Sequence, residues 1–406
     1  MSRTARRLPQ PAELAALLRP KPFIRDATQR RLSSAASIPD LARIALRRTP
    51  RAVFDYVHGA SDDESALARS RAAFARVELI PSVLRDVSAV DPSATILGAP
   101  SALPMVFAPT GFTRMMHTSG EPAVVRVAEA MGIPYGLSTM GTTSIEAVAK
   151  AAPSARRWFQ LYLWKDRDAS RDLISRAAAS GYEALLLTVD TPVGGSRLRD
   201  VRNGLAIPPA LTLRTFVDGA MHPNWWFDLL TTEPLQFATL SQFGGTPGQL
   251  ADRVFDPSAT LADVRWLREV WPGKLVVKGI VTPDDATAVV DAGADGVVVS
   301  NHGGRQLSRA PVPLEVLPSI VSAIGDRAEV MIDGGVLRGQ DVVAAVAFGA
   351  SAVLVGRAYL YGLMAGGEAG VQKAHDLLRA EIVRTMQLMG VTSVAELTAS
   401  RVRLRP

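Results

Sequence analysis

Short apolar runs alternate along the sequence with segments of helical spacing, starting near residue 105. Eight runs of strand length follow one another: Met105–Pro109, Ile133–Ser138, Trp158–Leu163, Ala184–Val189, Leu275–Lys278, Gly296–Ser300, Val330–Ile332 and Ala352–Val355. They lack regular polar alternation, which is typical of parallel strands that are covered on both faces. The pattern therefore predicts eight buried strands.

Alanine-rich segments with helical periodicity separate most of these runs. Four of them are Glu121–Met131, Ala169–Ser180, Asp284–Ala292 and Gly339–Phe348. Strand and helix alternating eight times predict the α/β class and a single (β/α)8 barrel of the TIM type. A doubly wound sheet is the structural alternative, but it normally carries a G-x-G-x-x-G motif after its first strand, and none follows the first run here.

Two regions lie outside this repeat. Residues 1–36 are rich in proline and arginine and predict an irregular basic extension, whereas 37–406 should form the barrel domain, with a preceding helical extension capped by Ser37. About 85 residues separate the fourth run from the fifth and include Trp225-Trp226-Phe227. So long a connection is a lid, an oligomer contact, a membrane-touching element or a packed excursion over the barrel mouth.

Composition narrows the class of protein. The 406 residues are 48% hydrophobic, enough for one large soluble domain or two modest ones. Cysteine is absent, which excludes disulfides, thiolate catalysis and cysteine-based metal sites. No apolar run reaches the roughly 18 residues of a membrane span, and the basic N-terminus lacks the apolar segment of a secretory signal. We therefore expect a cytoplasmic protein.

The net charge of +6 is unevenly distributed. Residues 1–51 hold twelve Lys or Arg and three acidic residues, so the remainder is slightly acidic. A basic tail can contact nucleic acid or anionic lipid, but more often it is solvated or docks to a subunit. No basic and aromatic stripe supports nucleic-acid binding. Peripheral contact with the cytoplasmic face of the inner membrane is a hypothesis supported by this tail and by Trp225-Trp226-Phe227.

Candidate chemistry is carried by the polar and glycine residues that end the runs. In chain order these ends are Pro109-Thr110-Gly111, Ser138, Gln160 with Tyr162, Thr188 with Asp190, Lys278, Ser300 to Arg305, Asp333-Gly334-Gly335 and Gly356-Arg357. The C-terminal ends of TIM-barrel strands converge on one mouth, where catalysis takes place. A single polar strand end is usually a satisfied cap, but eight in succession favour an active site.

His302 is the leading candidate for a catalytic base. It follows an apolar strand and is next to Asn301 and two glycines. An imidazole suits proton abstraction at neutral pH, and the Asp190 carboxylate could stabilise the imidazolium that results. Arg197 and Arg305 are candidate anion holders, because a guanidinium binds a carboxylate through two parallel hydrogen bonds. Hydroxyl groups of Tyr56 and Tyr162 could add hydrogen bonds.

Lys278 and the later glycines indicate a cofactor. A lysine at the end of an apolar strand is costly unless it meets an anion. Gly334-Gly335 and Gly356-Arg357 follow the seventh and eighth runs, where barrels commonly bind phosphate. Together they predict a phosphate-bearing cofactor with an electron-accepting ring. We expect no metal, since His58 and His117 lack partners at ligand spacing.

These motifs resemble those of the FMN-dependent 2-hydroxy-acid oxidases and dehydrogenases. The segment from Ser300 to Leu307, S-N-H-G-G-R-Q-L, matches the family signature. Seven further motifs match in order: F-D-Y at 54, A-P-T at 108, F-Q-L-Y at 159, L-T-V-D-T-P at 187, V-K-G at 277, D-G-G at 333 and G-R at 356. The resemblance spans about residues 38 to 398 and is greatest to bacterial, quinone-linked L-lactate dehydrogenases.

The resemblance implies a role for each site residue. His302 would be the base, Asp190 its partner, and Tyr162 would bond the substrate hydroxyl. Tyr56, Arg197 and Arg305 would hold the substrate carboxylate, and Lys278 would stabilise the reduced flavin. The remaining residues would bind FMN: Pro109, Thr110, Gly111, Ser138, Gln160, Thr188 and Ser300 at the ring, Asp333 at the ribityl chain, and Gly334, Gly335, Gly356 and Arg357 at the phosphate.

The implied reaction is oxidation of a small L-2-hydroxy acid, foremost L-lactate to pyruvate, with electrons passed to a quinone. The alternatives are an oxidase that produces hydrogen peroxide, another phosphate-binding barrel such as an isomerase of phosphorylated substrates, and a non-enzymatic scaffold. The intact set of buried charges argues against a scaffold, because it would lower stability without benefit. The family also implies a homo-oligomer, often a tetramer.

The sequence departs from the family at three positions. Many members carry arginine where this chain has Leu337, and that arginine helps to hold phosphate. Arg357 and backbone N–H groups would then carry more of this role, or Arg338 would substitute. Oxygen-using members often have alanine where Gly111 lies and tryptophan near Met140, so these two residues favour a dehydrogenase.

Overall fold

The computed structural model describes residues 7–17, 24–204, 218–244 and 254–406. The strands are β1 Val77–Leu79, β2 Ala94–Ile96, β3 Ala99–Ser101, β4 Met105–Phe107, β5 Tyr135–Ser138, β6 Arg157–Leu161, β7 Ala184–Thr188, β8 Lys274–Ile280, β9 Gly296–Val299, β10 Glu329–Ile332, β11 Ala352–Val355 and β12 Val402–Leu404. Each of the eight predicted runs overlaps one strand, from β4 to β11.

Helices account for most of the remaining described chain. They are α1 Pro11–Leu17, α2 Ala27–Leu32, α3 Ile38–Arg48, α4 Arg51–His58, α5 Ser65–Ala75, α6 Thr113–Met116, α7 Gly120–Met131, α8 Ile145–Ala151, α9 Arg167–Ala179, α10 Leu198–Arg202, α11 Pro223–Thr231, α12 Leu261–Val270, α13 Pro283–Asp291, α14 Pro313–Ile324, α15 Gly339–Ala347 and α16 Arg357–Met389. Short 3₁₀ helices span Ala238–Phe243, His302–Gly304, Gly325–Arg327, Val394–Glu396 and Ala399–Arg401.

Strands β4 to β11 form a closed parallel barrel in chain order, with β11 pairing back to β4. In that closing pair, Val353 lies opposite Met105 and Val355 opposite Phe107. The predicted (β/α)8 barrel is therefore confirmed. Because every strand runs in the same direction, all eight C-terminal ends open onto one mouth.

The inside of the barrel is filled by apolar side chains. Val106, Trp158, Leu186, Val276, Val298, Met331 and Leu354 belong to one buried cluster. Ile96 and Leu97, from the β2–β3 hairpin, belong to the same cluster and close the N-terminal end of the barrel. The mouth at the opposite end is thus the only end of the described barrel that is left for a ligand.

The first 36 residues contain more regular structure than the sequence indicated. Two segments, α1 and α2, are helical, so the prediction of an irregular extension is wrong there. Helix α2 is capped by Asp26 and buries Leu32, and the Arg31 guanidinium donates to the Ala365 carbonyl at 2.9 Å. Tertiary contacts with α16 thus stabilise a segment whose composition alone suggested a coil. The predicted cap is confirmed: the Ser37 hydroxyl accepts the Asp40 N–H.

The long connection between β7 and β8 is partly described. It contains helices α10, α11 and α12 and a 3₁₀ helix whose Leu240 is fully buried and donates its N–H to the Phe237 carbonyl. The Trp225 indole N–H donates to the Met115 carbonyl at 3.0 Å. The described part of the connection is therefore a packed excursion over the barrel. Residues 205–217 and 245–253 lie outside the described residues.

Candidate active site

A cavity of about 290 Å³ opens at the C-terminal ends of the barrel strands. Most of the predicted site residues line it: Tyr56, Pro109, Thr110, Gly111, Ser138, Gln160, Tyr162, Thr188, Arg197, Lys278, His302, Arg305, Asp333, Gly334, Gly335, Gly356 and Arg357. Two do not. Asp190 lies behind His302, and Ser300 lies beneath Lys278 and His302.

His302 is held in an unusual backbone conformation. Its φ is +57°, a left-handed value that side chains other than glycine rarely adopt and that is common at functional sites. The His302 amide donates to the Ser300 hydroxyl at 3.0 Å, and the imidazole Nδ1 lies 3.0 Å from Asp190 Oδ1. With its proton on Nδ1, the ring presents a basic Nε2 to the cavity. The Tyr162 hydroxyl lies 3.5 Å from that nitrogen.

Asp190 remains ionised in this position. Burial favours the neutral acid, but the neighbouring His302 and Lys278 outweigh it and hold the pKa of Asp190 below its ordinary value. Gly279 makes the approach possible: its φ is +110°, and a Cβ there would lie 2.7 Å from the Cβ of Asp190. The carboxylate can therefore fix the tautomer of His302 and stabilise its protonated form.

Gln306 ties the loop of Asp190 to the loop of His302. Its amide nitrogen donates to the carbonyls of Asp190 at 2.9 Å and Val193 at 3.0 Å. Its amide oxygen accepts the Gly195 N–H at 2.7 Å. The sequence showed Gln306 only as part of a motif, without a role; the structure shows three hydrogen bonds that fix the spacing between the two loops.

Two guanidinium groups flank the ring of Tyr56. The central carbons of Arg197 and Arg305 each lie 5.0 Å from its centroid, within cation–π distance. Arg305 donates to the Tyr56 and Gly59 carbonyls and has no carboxylate partner among the described residues. Burial and the charge of Arg197 lower the pKa of Arg305 to about 10. Two such cations favour an anionic ligand between them.

Arg197 differs from Arg305 in having its own counter-ion. Asp200 Oδ2 lies 3.3 Å from the Arg197 guanidinium. Burial disfavours the charge of Arg197, but Tyr56 and Asp200 outweigh burial and raise the pKa of Arg197. Burial raises the pKa of the Asp200 carboxyl, whose Oδ2 accepts no hydrogen bond among the described residues.

Tyr162 is fixed by the long connection. Its ring packs edge-on against Phe255 with centroids 5.5 Å apart. Burial and the nearby Asp190 raise the pKa of Tyr162, so it remains a neutral hydroxyl that can donate a hydrogen bond. Phe255 also lines the cavity and was missed from the sequence, because it lies in an irregular segment without a strand-end signal.

Lys278 has two partners at the base of the cavity. Its ammonium lies 2.9 Å from Asp333 Oδ2 and donates to the Ser300 hydroxyl at 2.8 Å. Burial disfavours the ammonium, but Asp333 and Asp190 raise the pKa of Lys278 and keep it charged. Asp333 Oδ1 is buried and accepts no hydrogen bond among the described residues. Such an oxygen is available to a ligand hydroxyl.

A chain of hydrogen bonds forms one wall of the cavity. The Ser138 hydroxyl donates to the Gln160 amide oxygen at 3.0 Å, and the Gln160 amide nitrogen donates to the Thr188 hydroxyl at 3.1 Å. The Thr110 hydroxyl lies 2.6 Å from that of Tyr359. These fixed polar groups suit the edge of a planar heterocycle.

The two glycine-containing strand ends lie at another end of the same cavity. Gly334 and Gly335 have φ values of +90° and +87°. Arg357 lines this end, yet its guanidinium donates to three carbonyls, those of Val57, Gly59 and Gly303, at 2.7 to 2.9 Å. Arg338, the substitute suggested from the sequence, is exposed and does not line the cavity.

Metal binding has no support in the part of the chain that the structure describes. No group of three or more His, Asp or Glu side chains converges there in a manner suited to a metal ion. His58 is engaged with Tyr361, whose hydroxyl lies 2.9 Å from its Nδ1, and His117 with Ser119 at 2.8 Å.

Comparisons with known proteins agree with this geometry. A family model described as FMN-dependent dehydrogenase matches residues 45–404. A Mycobacterium tuberculosis protein provisionally named an L-lactate dehydrogenase is 55% identical, covering 98% of this chain and 96% of that protein. Human 2-hydroxyacid oxidase 1 is 40% identical, covering 91% and 96%. The crystal structure of the monotopic membrane protein (S)-mandelate dehydrogenase aligns with a TM-score of 0.88 and 37% identity, covering 92% of this chain and all of the other.

Proposed function

The chain belongs to the family of FMN-dependent dehydrogenases, which implies an FMN cofactor, and from this premise we propose that it oxidises L-lactate to pyruvate and passes the electrons to a quinone. The observation that carries the proposal is the convergence of His302, paired with Asp190, and of Arg197 and Arg305 on one cavity. A proton acceptor beside two cations suits a substrate that has both a hydroxyl and a carboxylate.

The residues of the cavity fit FMN. The unpaired Asp333 Oδ1 offers an acceptor to a ribityl hydroxyl, and Lys278 offers a cation to the polar edge of the ring. Open space above Gly356, where a Cβ would meet nothing closer than 3.8 Å, leaves room for the phosphate end. Bound FMN supplies a ring that accepts two electrons. We assign Ser138, Gln160 and Thr188 as the residues that contact the edge of the FMN ring. Ser300 would hold the ammonium of Lys278 from beneath.

The substrate carboxylate would be bound by Arg197 and Arg305. Both guanidinium groups lie 5.0 Å from the Tyr56 ring and line the same cavity, so both can face the same ligand. Tyr162, which remains a hydroxyl, would bond the substrate oxygen close to His302. These contacts would orient the hydroxyl-bearing carbon before any proton moves.

His302 would accept the substrate proton at Nε2. Its Nδ1 proton is directed to Asp190, which compensates the positive charge that develops on the imidazole. Because Gln306 fixes the loop of Asp190, this carboxylate need not move during the reaction. Formation of the 2-keto acid removes two protons and two electrons from the substrate: His302 would accept one proton, and the electron pair and the second proton would be taken up by FMN when it is bound.

A short substrate side chain is supported by the cavity wall. A Cβ at position 111 would lie 3.0 Å from the Cβ of Met140, so these residues are already in close contact. Phe255 and Tyr162 limit the space on another side. A methyl group, as in lactate, fits such a wall better than a phenyl ring does.

A substrate panel tests this proposal. Purified enzyme would be assayed with L-lactate, glycolate, (S)-mandelate and longer 2-hydroxy acids, under anaerobic conditions with a quinone analogue and in air with detection of peroxide. We expect the highest kcat/KM with L-lactate, and turnover by quinone without equivalent peroxide. Higher values with mandelate would reject lactate, and stoichiometric peroxide would establish the oxidase alternative.

We also propose that α11 contacts a membrane surface. Phe227 and Leu230 are exposed on this helix, and the basic N-terminal residues could add attraction to anionic lipid. Among the described helices, none is long and apolar enough to cross a bilayer. The double substitution Phe227→Ser and Leu230→Ser should reduce sedimentation with anionic vesicles, whereas Leu388→Ser, at another exposed leucine, should not. Equal sedimentation of both variants would reject this contact.

Assembly as a homotetramer is a further proposal from the family resemblance. Sedimentation velocity of the full-length chain would test it, and a monomer at micromolar concentration would reject it.

A further inference from the structure

Arg71 lies at the end of the cavity where Gly334 and Gly335 follow β10. It belongs to helix α5, which precedes the barrel, and it lines the cavity together with Leu337. Its Nη1 donates to the Gly335 carbonyl and lies 3.3 Å from Asp341 Oδ2. Its Nε and Nη2 make no hydrogen bond to other described residues. A third of the Arg71 side chain is exposed, so these two nitrogens are open to a ligand. Arg71 therefore keeps unused donors beside the cavity.

Three backbone N–H groups near Arg71 are already used. Asp341 Oδ2 accepts the N–H groups of Leu337 at 2.9 Å and Arg338 at 3.0 Å. Glu381 accepts the Gly339 N–H at 2.7 Å. At the N-terminus of α15, two carboxylates of the chain itself therefore already engage three backbone N–H groups that could otherwise bind an anionic ligand.

Other cations at this end are less available than Arg71. Arg357 uses three of its five N–H groups on backbone carbonyls. Arg338 is exposed and outside the cavity, and position 337 carries leucine. Of the described basic side chains on this wall, Arg71 has the most free hydrogen-bonding capacity.

Packing fixes the position of Arg71. A Cβ on Gly335 would lie 2.9 Å from the Ser70 carbonyl oxygen, so α5 lies directly against the turn after β10. The Asn301 amide donates to the Ser70 hydroxyl at 3.2 Å and joins the same helix to the end of β9. Asp341 then orients the guanidinium itself. A side chain held in this way loses little entropy when it binds a ligand.

We propose that Arg71 supplies a guanidinium to the phosphate of FMN, a role for which the sequence suggested Arg357 with backbone N–H groups, or Arg338. The proposal rests on the FMN cofactor stated above. Arg71 also neutralises Asp341, which would otherwise face a phosphate dianion across the cavity wall with its charge uncompensated. Helix α5, outside the barrel, thereby becomes part of the cofactor site.

Flavin binding by the full-length apoprotein tests this assignment. FMN and riboflavin share the ring and the ribityl chain, so the difference between their dissociation constants reports the phosphate alone. Fluorescence quenching would measure both constants for the wild type and for Arg71→Gln. We expect Arg71→Gln to raise the Kd of FMN by about 10- to 100-fold, as for loss of hydrogen bonds to a charged group, and to change that of riboflavin by less than about twofold.

Arg338→Gln is the matched control and should leave both constants unchanged. Arg71→Lys retains the charge without the forked donors and should give an intermediate Kd for FMN. A cation restored on the same wall by Leu337→Arg should recover part of the loss in Arg71→Gln.

Three outcomes would overturn the assignment. Arg71→Gln could leave FMN binding unchanged, it could weaken FMN and riboflavin equally, or Arg338→Gln could be the variant that weakens FMN selectively. Wild-type protein that binds neither flavin would instead contradict the cofactor, a result that is distinguishable from all three.

Discussion

The two ends of the barrel both carry buried or partly buried charges, but they satisfy them differently. At the N-terminal end, Arg156 donates to the carbonyls of Ile96, Ala99 and Pro100 and pairs with Glu183, which also accepts the Trp158 indole N–H. At the mouth, one oxygen each of Asp190, Asp200 and Asp333 is buried without a hydrogen bond among the described residues. At the N-terminal end, Arg157 Nε and Glu329 Oε2 are also buried without a hydrogen bond among the described residues, but the cavity of about 290 Å³ lies at the mouth.

This difference separates the end of the barrel that chiefly supports stability from the end that carries the function. Unsatisfied buried acceptors and neighbouring cations lower stability, so they persist where a ligand supplies the missing partners. The closed end also has two unpaired buried atoms, Arg157 Nε and Glu329 Oε2, but there the apolar hairpin fills the barrel. We therefore expect substitutions at the mouth to change catalysis at little cost in stability, and those at the closed end to do the reverse.

The largest expected effect is at the mouth, with His302→Gln. Loss of the proton acceptor should lower the rate of flavin reduction by L-lactate about 10²- to 10⁴-fold, as is typical of acid–base catalysis. Rapid mixing under anaerobic conditions would measure this rate from flavin absorbance. His222→Gln, outside the cavity, is the control and should reduce flavin normally. Near-normal reduction by His302→Gln would remove His302 from the chemistry.

The next effect is at the closed end, with Ile96→Ala. This fully buried side chain lies in the barrel cluster, and its truncation should lower the free energy of unfolding by about 2–4 kcal/mol. The folded variant should retain the kcat/KM of the wild type. Chemical denaturation combined with assays below the transition would measure both quantities. A variant that was stable but catalytically impaired would contradict the separation of the two ends.

A matched pair of arginine substitutions sharpens the comparison. Arg305→Lys at the mouth should raise KM for L-lactate about 10- to 100-fold, because a bidentate contact to the carboxylate becomes a single one. Arg156→Lys at the closed end should leave KM unchanged and lower the melting temperature. Steady-state kinetics and thermal melts on both proteins would give the four values. Similar KM changes in the two variants would show that the ends are not distinct.

The smallest effect is expected for Asp200→Asn. Burial raises the pKa of Asp200, so folding favours its protonated form, and wild-type stability should decline as the pH rises through that raised pKa. The amide removes this dependence and should stabilise the protein at pH 7 by up to about 1 kcal/mol. It should also raise KM slightly, since Arg197 loses its counter-ion. Melting temperatures at pH 5 and 7 test the sign, and a less stable variant at pH 7 would contradict it.

Sequence patterns predicted the barrel well. All eight runs became neighbouring strands because parallel strands buried on both faces require continuous apolar residues, which are visible without a structure. The position of the active site at the mouth could be predicted equally well, since topology alone brings the strand ends together. His302 and Asp190, far apart in sequence, meet at 3.0 Å for this reason.

The features that could not be predicted from the sequence depend on contacts between distant segments of the chain. Arg71 and Phe255 lie on elements without a strand-end signal, so only the folded chain shows that they reach the cavity. Arg357 was expected at the phosphate, but the carbonyl groups of Val57, Gly59 and Gly303 engage three of its N–H groups, which the sequence could not show. Helix α2 was missed because it is stabilised by α16, over 300 residues away.

The carbonyl contacts of Arg357 also bear on biosynthesis. They join Val57 and Gly59 to the end of β11, which is translated some 300 residues later. Strand β4 likewise waits for β11 before the ring of strands can close. A nascent chain must therefore keep these earlier segments unaggregated until β11 has been translated, and the catalytic mouth can mature only after that point.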